Sequence, residues 1–320
     1  MRVLIYGAGV IGSIFAGRLA RSGVDVTVLA RGKRLEEIRR TGIVLMNPKT
    51  RRKETAHVKT IDTLEPSDLY TYVFVVMQRS QVDAVLPTIA CNGSRNVVFV
   101  VNTAGGYDAW ASALGPERLL IGFPSAGGER VDGVVQAFIG KGLLRMFQTT
   151  TFGECDGRRT ERIDTLIRLF RRAGIPSVCS HDMDAWQKTH VALVCNVANA
   201  LYGCRCDNVR LGRSRSSVRQ MVLAIQEGRR VLRKNGIRPT PWKLAWLDAP
   251  AGIVTASFCW FMKTKLAETT MAKHCMVAHG EMRHLQMEFD ALICRSGLHT
   301  PAIDRLREQL ATYSPGERLT

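Results

Sequence analysis

Short apolar runs rich in β-branched residues alternate with stretches of helical periodicity along the first half of the chain. The apolar runs predict strands at Val3–Tyr6, Val24–Leu29, Tyr72–Met77, Val97–Val101 and Leu119–Phe123. Helical patterns fall between these runs, at Val10–Ser22, Lys33–Thr41 and around Gln81–Ile89. Strands that alternate with helices in this way are typical of a parallel α/β sheet.

The pattern changes toward the middle of the chain. Residues 133–152 contain apolar runs separated by glycines, which predict hairpin strands that extend the sheet. An amphipathic helix is predicted at Arg159–Gly174 and a last strand at Ile175–Ser180. Helical periodicity dominates the rest of the chain. We therefore predict an α/β domain over residues 1–180 and an all-helical domain over residues 181–320.

The net charge is the unusual feature of the composition. The chain has 320 residues, of which 45 are Lys or Arg and 28 are Asp or Glu, and its formal charge at pH 7 is +17. A hydrophobic content of 46% is ordinary for a globular protein and excludes a disordered tail or a small disulfide scaffold. The charge favours anionic partners such as dinucleotides, acidic metabolites, nucleic acid or acidic membranes, without choosing among them.

Nine cysteines are scattered along the chain, and none forms a CxxC pair or a Cys/His metal-binding spacing. This usage favours a reduced, cytoplasmic compartment and predicts no metal centre. The first strand runs directly into glycines, so we expect no signal peptide. No stretch reaches the ~18 consecutive apolar residues of a membrane span, and we expect no membrane contact.

A glycine-rich loop follows the first predicted strand and opens the first predicted helix. The loop consists of Gly7, Ala8, Gly9, Val10, Ile11 and Gly12, in the pattern GxGxxG. Its first glycine permits a tight turn, the second lets a pyrophosphate approach the backbone, and the third lets the helix lie close to the sheet. The free amides at the helix start then face the phosphates. This context predicts dinucleotide binding; a glycine-rich turn in another kind of α/β domain is the alternative.

The second predicted strand ends in a basic cluster, where an enzyme that binds NAD would carry Asp or Glu for the ribose hydroxyls. The cluster contains Arg31, Lys33 and Arg34. Because a cationic group binds a 2′-phosphate and a carboxylate repels it, the cluster predicts NADP as the cofactor. A solvated basic helix start is the alternative interpretation.

A stripe of polar residues runs along one face of the first predicted helix in the second half of the chain. Lys188 begins it, Ala192 and Asn196 continue it at the i+4 and i+8 positions, and Asn199 returns to nearly the same angle. Buried polar groups need partners, and a substrate in an open cleft can supply them. The alternative is that Lys188 reaches solvent while the asparagines hold neighbouring backbone.

These motifs together resemble the ketopantoate reductase (2-dehydropantoate 2-reductase) family, in order and spacing over nearly the whole chain. The resemblance is carried by the GxGxxG loop, Arg31, Gln81, Asn102, the Trp186-x-Lys188 pair, Glu281 and the run from Ser296 to Pro301. It implies a Rossmann domain followed by a helical domain. The implied reaction is the NADPH-dependent reduction of a 2-oxo acid to a 2-hydroxy acid, as in pantothenate biosynthesis.

The resemblance also implies roles for individual residues. Lys188 is the general acid that hydrogen-bonds the substrate carbonyl, and Glu281 binds the substrate hydroxyl and helps to orient the lysine. Asn102 lies close to both nicotinamide and substrate. Asn196 and Thr269 contact the substrate, the latter at its carboxylate. A lysine in this role also makes chemical sense, since a fixed ammonium stabilises and then neutralises the negative charge that hydride delivery builds on oxygen. Asn199, on the same stripe, is a further candidate for substrate binding.

Three positions depart from the family pattern. Gln78 stands where the family carries a cofactor-facing lysine, and Ala192 stands where it carries the first asparagine of the lysine helix. A further asparagine after this helix has no clear match, although Asp207 and Asn208 lie near. Losing a hydrogen bond in a site costs ~1–3 kcal/mol, which is enough to change substrate preference. We therefore expect a 2-oxo acid that can be bulkier or less polar near Ala192.

The helix that carries Thr269 and Glu281 requires a break if both residues are to reach one small substrate. In a straight helix their separation along the axis would be ~18 Å, which exceeds the size of such an acid. We predict a break near His279–Gly280, and a continuous helix would exclude Thr269 from the site.

Two other classes of function remain open. The basic segment from Arg205 to Arg238 suggests an NADP-binding protein that docks on nucleic acid or an acidic partner without turnover. The segment lacks interleaved aromatic residues and any recognised nucleic-acid-binding motif, so we expect no nucleic-acid partner. A dehydrogenase of the opine or 6-phosphogluconate type would share the architecture but would not require Lys188 and Glu281. A homodimer through the helical domain is compatible with the sequence.

Overall fold

The computed structural model describes residues 1–139 and 149–313. The chain forms two compact units. The first comprises Met1–Asn102 and Tyr107–Met183, and the second comprises Thr103–Gly106 and the chain from Asp184 onward. The chain therefore passes between the units near the predicted division at residue 180, and also on either side of the short segment Thr103–Gly106.

Twelve strands occur within the described residues of the first unit. They are β1 (Arg2–Tyr6), β2 (Asp25–Leu29), β3 (Ile43–Met46), β4 (Lys53–Ala56), β5 (Lys59–Ile61), β6 (Tyr72–Val75), β7 (Val97–Val100), β8 (Leu119–Phe123), β9 (Ala126–Val131), β10 (Val134–Ile139), β11 (Thr150–Glu154) and β12 (Ser177–Cys179). Its helices are α1 (Val10–Arg21), α2 (Gly32–Thr41), α3 (Arg79–Cys91), α4 (Asp108–Leu114) and α5 (Glu161–Arg172).

The larger sheet has the strand order β12-β11-β8-β7-β6-β1-β2-β5 in the described residues. Neighbouring strands from β8 to β5 run parallel, and β11 joins antiparallel to β8. The central strands are apolar on both faces because helices cover both: side chains of Val3, Leu4 and Ile5 are fully buried, and they divide between two apolar clusters. This is the Rossmann-type α/β architecture that the sequence predicted.

A second sheet, with the order β4-β3-β10-β9, packs against α1. The contact is close at Gly17, where a Cβ atom would lie 2.9 Å from the Leu45 side chain. The prediction that residues 133–152 extend the main sheet is wrong for β10, which pairs with β9 and β3 in this second sheet. It is right for β11, which joins the main sheet. The part of this prediction around Gly140 and Gly142 lies outside the described residues.

The second unit is helical within its described residues. Its helices are α6 (Met183–Gly203), α7 (Asn208–Arg213), α8 (Arg215–Lys234), a 3-10 helix (Trp242–Asp248), α9 (Ala251–Phe261), α10 (Lys265–Ala267), a π-helical segment (Glu268–Ala272), α11 (Lys273–Val277), α12 (His279–Ser296) and α13 (Pro301–Thr312). One apolar cluster forms its core, with α6 and α8 contributing many fully buried side chains, among them Val191, Leu201 and Val222. The fold is therefore an α/β unit and an all-helical unit.

A buried polar contact between α8 and α13 fixes the start of α13. The Glu227 carboxylate of α8 accepts hydrogen bonds from the backbone amides of Ala302 and Ile303, at the start of α13. Because the first amides of a helix have no partner within the helix, this contact satisfies groups that would otherwise be left buried and unpaired.

No single helix in residues 1–139 and 149–313 is long and apolar enough to cross a membrane. The 3-10 helix and α9 reach such a length and composition only when taken together, and a bend of 113° separates them.

Candidate functional site

The glycine loop between β1 and α1 has the geometry that its sequence predicts. Gly7 has a φ of 118°, a conformation that favours glycine, and a Cβ atom there would lie 2.3 Å from the carbonyl oxygen of Val76. A Cβ atom at Gly12 would lie 1.9 Å from the Gly7 carbonyl oxygen. By contrast, nothing lies within 4 Å of the corresponding position at Gly9. The loop is therefore tight against the sheet at its ends and open at its centre.

The N-terminus of α1 offers backbone amides to an anion. Gly9 is the N-cap residue and has no side chain to cap the helix, and the first turn contains no acidic residue. The early amides of a helix lack partners within it and carry the positive end of its dipole. Space above Gly9 and bare amides beside it fit the pyrophosphate of a dinucleotide.

The basic cluster after β2 divides into outward and inward side chains. Arg31 and Lys33 are exposed, and an Nη atom of Arg31 lies 3.4 Å from the Tyr6 hydroxyl. Arg34 instead turns toward the glycine loop, where its Nε donates to the Ala8 carbonyl oxygen. The first turn of α2 contains no acidic residue. Of the three cations, Arg31 and Lys33 therefore remain accessible to a ligand.

Two further candidates for cofactor binding lie at the carboxyl ends of neighbouring strands, β6 and β7. Gln78 is exposed at the start of α3, where its backbone amide donates to the Gln81 side chain at 3.3 Å. Asn102 is half-buried, and its Oδ1 atom is buried without a hydrogen-bond partner among the described residues. A buried amide oxygen left unpaired is rare and suits a site that a ligand completes.

The segment that follows Asn102 is held by an acidic side chain from α12. Glu288 Oε2 accepts hydrogen bonds from the Thr103 hydroxyl at 2.8 Å, the Ala104 amide at 2.7 Å and the Gly105 amide at 3.2 Å. His284 Nε2 lies 3.4 Å from the other carboxylate oxygen. Glu288 therefore fixes the backbone directly after Asn102.

Lys188 lies on α6 and is paired within its own helix. Its Nζ atom lies 2.6 Å from Oδ2 of Asp184, and its side chain is only 14% exposed. The pair has the i,i+4 spacing that brings side chains together on one helical face. The ammonium group of Lys188 is thereby held in one position rather than extended into solvent.

The two asparagines of the α6 stripe are buried in the helical unit. Asn196 Nδ2 donates to the carbonyl oxygens of Ala192 and Ala224, and Asn199 Nδ2 donates to Gln286 Oε1 at 3.0 Å. Their side-chain oxygens are buried without partners among the described residues. Their amide nitrogens thus hold neighbouring helices, as in the alternative interpretation above. With exposures of 1% and 0%, neither residue is open to a substrate, and the expectation that they bind it is not met in this structure.

Ala192 is a packing position rather than an opening toward a ligand. It is 1% exposed, and a Cβ atom added to Gly228 of α8 would lie 3.4 Å from the Ala192 Cβ atom. The expectation of extra room for substrate beside Ala192 is therefore wrong, because α8 occupies that space.

Glu281 lies in the first turn of α12, and burial raises its pKa to about 7. Carboxyl groups with a pKa near the working pH can hold or release a proton, and they are common in active sites. The predicted helix break is confirmed: α11 ends at Val277, and Ala278 has a non-helical backbone before α12 begins. Thr269 is exposed in the π-helical segment, and its hydroxyl donates to the Lys265 carbonyl oxygen at 2.9 Å.

Two residues with a part in this arrangement, Asp184 and Glu288, were not predicted from the sequence. Asp184 was recognisable from its i,i+4 spacing with Lys188 at a helix start. Nothing in the sequence indicated Glu288, whose partners lie far away in the chain, or the inward turn of Arg34. Among the described residues, no group of His, Cys, Asp and Glu side chains could hold a metal ion.

Comparison with known proteins identifies related chains and folds. Residues 3–154 match the family model described as ketopantoate reductase PanE/ApbA. The 2-dehydropantoate 2-reductase of Archaeoglobus fulgidus is 26% identical over 237 residues, which are 73% of this chain and 75% of that protein. The family match covers the glycine loop, Arg31, Gln78 and Asn102 and ends before Lys188.

Solved structures extend the likeness of fold to the helical unit. The 2-dehydropantoate 2-reductase of Geobacter metallireducens matches with a TM-score of 0.77 and 19% identity, over 97% of this chain and 99% of that one. A D-mandelate dehydrogenase bound to NADH and anilino(oxo)acetate matches with a TM-score of 0.77 and 16% identity, over 97% of each chain. The N-terminal part of the chain thus matches the ketopantoate reductase family, and the whole chain shares the fold of these solved oxidoreductases.

Proposed function

We propose that the protein catalyses the NADPH-dependent reduction of a 2-oxo acid, 2-dehydropantoate or a related branched acid, to the corresponding 2-hydroxy acid. The observation that carries the proposal is the Lys188–Asp184 pair on α6, which fixes an ammonium group in the same helical unit as Glu281. The relatives named 2-dehydropantoate 2-reductase supply the reaction class.

Two observations support NADPH as the cofactor. The first turn of α2 after β2 has exposed Arg31 and Lys33 side chains and no carboxylate. A 2′-phosphate is attracted by such cations and is repelled by the carboxylate that NAD enzymes carry there. The open centre of the glycine loop and the bare amides of α1 hold the pyrophosphate. When bound, the nicotinamide supplies the hydride.

Lys188 provides the proton in this proposal. Its ammonium donates a hydrogen bond to the carbonyl oxygen of the substrate, which polarises the carbonyl carbon for hydride addition. As negative charge develops on that oxygen, the N–H proton of Lys188 transfers to it and forms the hydroxyl group. Asp184 holds the lysine during this transfer, because their hydrogen bond limits the positions that Nζ can take.

Glu281, Asn102 and Thr269 bind the substrate in this proposal. The Glu281 carboxyl group has a pKa near 7 and can accept a hydrogen bond from a substrate hydroxyl when it is ionised. The unpartnered oxygen of Asn102, which is only half-buried, is an acceptor for a polar substrate group. The Thr269 hydroxyl is exposed and is able to rotate from its own helix to a carboxylate.

A second candidate is the NADH-dependent reduction of an aromatic 2-oxo acid. The likeness in fold to the D-mandelate dehydrogenase bound to NADH favours it as strongly as the likeness to the Geobacter enzyme favours the first. The two candidates share the hydride transfer and the role of Lys188, and they differ in the substrate side chain and the cofactor.

Steady-state assays distinguish the candidates. The purified protein is mixed with NADPH or NADH and a panel of 2-oxo acids that includes ketopantoate, other branched acids and phenylglyoxylate. The proposal expects the highest kcat/KM for NADPH with a branched acid, and a loss of most of kcat in Lys188→Met. Faster turnover of phenylglyoxylate with NADH establishes the second candidate. No turnover with any acid contradicts both.

A further inference from the structure

The Arg34 side chain makes three polar contacts, one each with the glycine loop, α1 and its own helix α2. Its Nε donates to the Ala8 carbonyl oxygen at 3.2 Å, and one Nη atom donates to the Ser13 hydroxyl at 2.9 Å. The other Nη atom pairs with Glu37 at 2.5 Å. The Arg34 side chain is 11% exposed. Its guanidinium group is therefore committed to the protein rather than displayed to solvent.

The same carbonyl group receives a second donor from α1. The Ser13 hydroxyl donates to the Ala8 carbonyl oxygen at 3.2 Å and accepts from Arg34, so the three groups form a closed triangle. Ala8 lies between Gly7 and Gly9, the first two glycines of the GxGxxG motif. Since the peptide bond is planar and trans, the Ala8 carbonyl and the Gly9 amide point in opposite directions. Fixing this carbonyl therefore also fixes the Gly9 amide.

Glu37 holds Arg34 from the opposite side. Its carboxylate lies close to the backbone of Gly133, in the turn between β9 and β10, where a Cβ atom would lie 1.9 Å from Glu37 Oε1. Gly133 has a φ of 79°, which favours glycine. Contacts thus run from the turn of the second sheet through Glu37 and Arg34 to the glycine loop.

We propose that Arg34 is a positioning residue for the dinucleotide loop and not a ligand of the 2′-phosphate. The proposal rests on the proposed binding of a nicotinamide dinucleotide. By holding the Ala8 carbonyl oxygen on the side of α2, Arg34 keeps a partial negative charge away from the pyrophosphate and keeps the Gly9 amide in place. The Glu37 carboxylate lies beside the Arg34 guanidinium group and repels a phosphate at that point. Arg31 is exposed and is therefore accessible to the 2′-phosphate of the cofactor.

This division of roles has a measurable signature, because NADH and NADPH share the pyrophosphate and differ only in the 2′-phosphate. Replacing Arg34 should weaken both cofactors by the same factor. Replacing Arg31 should weaken NADPH and leave NADH nearly unchanged. The ratio of the two dissociation constants therefore separates loop positioning from phosphate binding.

The test measures the Kd of NADPH and of NADH by cofactor fluorescence for the wild type, Arg34→Ala, Arg34→Lys, Arg31→Ala and Arg40→Ala. Arg40 is exposed on the same helix and controls for the loss of one positive charge. We expect Arg34→Ala to raise both Kd values by about tenfold with an unchanged ratio, the cost of about one hydrogen bond to a charged group. We expect Arg34→Lys to restore part of the affinity for both cofactors, and kcat at saturating cofactor to stay within about twofold of the wild type.

A variant at Ser13 keeps the test decisive if Arg34→Ala does not fold. Ser13→Ala removes one corner of the triangle with a small change in volume, and it should raise both Kd values by a smaller common factor. A rise in the Kd of NADPH alone, in either variant, would show that Arg34 binds the 2′-phosphate and would overturn the proposal while leaving NADPH-dependent reduction intact. Unchanged affinity for both cofactors also overturns it. If the wild type binds neither dinucleotide, the proposed function fails together with this inference.

Discussion

Asp184 Oδ2 lies 2.6 Å from Nζ of Lys188, one turn earlier on α6. The ion pair lies at the start of the helix, and the lysine side chain is largely covered while the aspartate is 41% exposed. An exposed ion pair adds little to stability, so the value of this one lies in where it places the ammonium group.

Lys188→Met should lower kcat by about 10²–10⁴-fold, since the variant lacks the proton donor for the developing alkoxide. Asp184→Asn should lower kcat by about tenfold, because the amide holds the lysine less firmly than the carboxylate. Single-turnover assays with saturating cofactor measure both effects. Glu308→Gln, which replaces an exposed carboxylate on α13, serves as the control. A kcat for Lys188→Met equal to that of the wild type would exclude the lysine from the chemistry.

Glu281 makes stability depend on pH in a defined direction. Burial raises its pKa from 4.5 to about 7, so between these values the folded protein holds a proton that the unfolded chain releases. Raising the pH through this window therefore favours the unfolded state of the wild type relative to Glu281→Gln, which has no such group. The Tm of the wild type minus that of the variant should fall between about pH 4.5 and pH 7 and stay level above it. A constant difference across this range would contradict the pKa shift.

Ionisation of the Glu281 carboxyl group should also change kcat/KM. The kcat/KM of the wild type should change with pH with an apparent pKa of about 7 and rise as Glu281 ionises, because a carboxylate accepts a stronger hydrogen bond from the substrate hydroxyl than a neutral carboxyl group does. Glu281→Gln should lack this step in its pH profile and should have a higher KM. The profile is measured with NADPH saturating at every pH, and a step that persists in the variant would assign the titration to another group.

Glu288 should stabilise the backbone segment that follows Asn102. Glu288→Ala leaves the Ala104 amide without its acceptor and removes one of the two acceptors of the Gly105 amide, which should destabilise the protein by about 1–3 kcal/mol. Glu288→Gln keeps one acceptor oxygen and should retain most of the stability. We expect kcat to fall more than cofactor affinity in Glu288→Ala, since the segment adjoins Asn102 but not the glycine loop. Urea denaturation and cofactor titration measure the two effects, and equal stability of both variants and wild type would refute the contact.

Substitution of Ala192 tests whether this position serves helix packing or substrate recognition. Restoring the asparagine that resembles the family pattern, by Ala192→Asn, should not raise kcat/KM for ketopantoate. It should instead lower stability by about 1–3 kcal/mol, because the larger polar side chain meets α8 at Gly228. Denaturation and steady-state kinetics of this one variant give both answers, and improved turnover with unchanged stability would show that the position faces substrate.

The main sheet could be predicted from sequence because its strands are continuous apolar runs, and the helices between them have clear periodicity. The second sheet could not be predicted. β4 consists of Lys-Glu-Thr-Ala, which lacks apolar alternation, and β3 is a short run that pairs with β10, far along the chain. Such strands are defined by their tertiary partners rather than by local pattern. For the same reason the hairpin strands of residues 133–152 were assigned to one sheet, although they divide between two.

The candidate site was predictable to a similar extent. The glycine loop, Arg31 and the helix break could be recognised because each follows from local backbone geometry or residue spacing. The direction of a side chain could not be recognised. Arg34 and Arg31 look equivalent in the sequence, yet one is directed to Ala8 and the other to solvent. Likewise, Ala192 resembled a lost substrate contact until the helix packed against it was known.

The segment Thr103–Gly106 limits how this protein can be divided. It lies within the first third of the chain, but Ala104 is 2% exposed in the apolar core of the helical unit. A fragment that ends at residue 180 would therefore carry this segment without its core and without Glu288. The two units are therefore not two consecutive stretches of the sequence, and exchanging the helical half with that of a relative would require a matched exchange of these four residues.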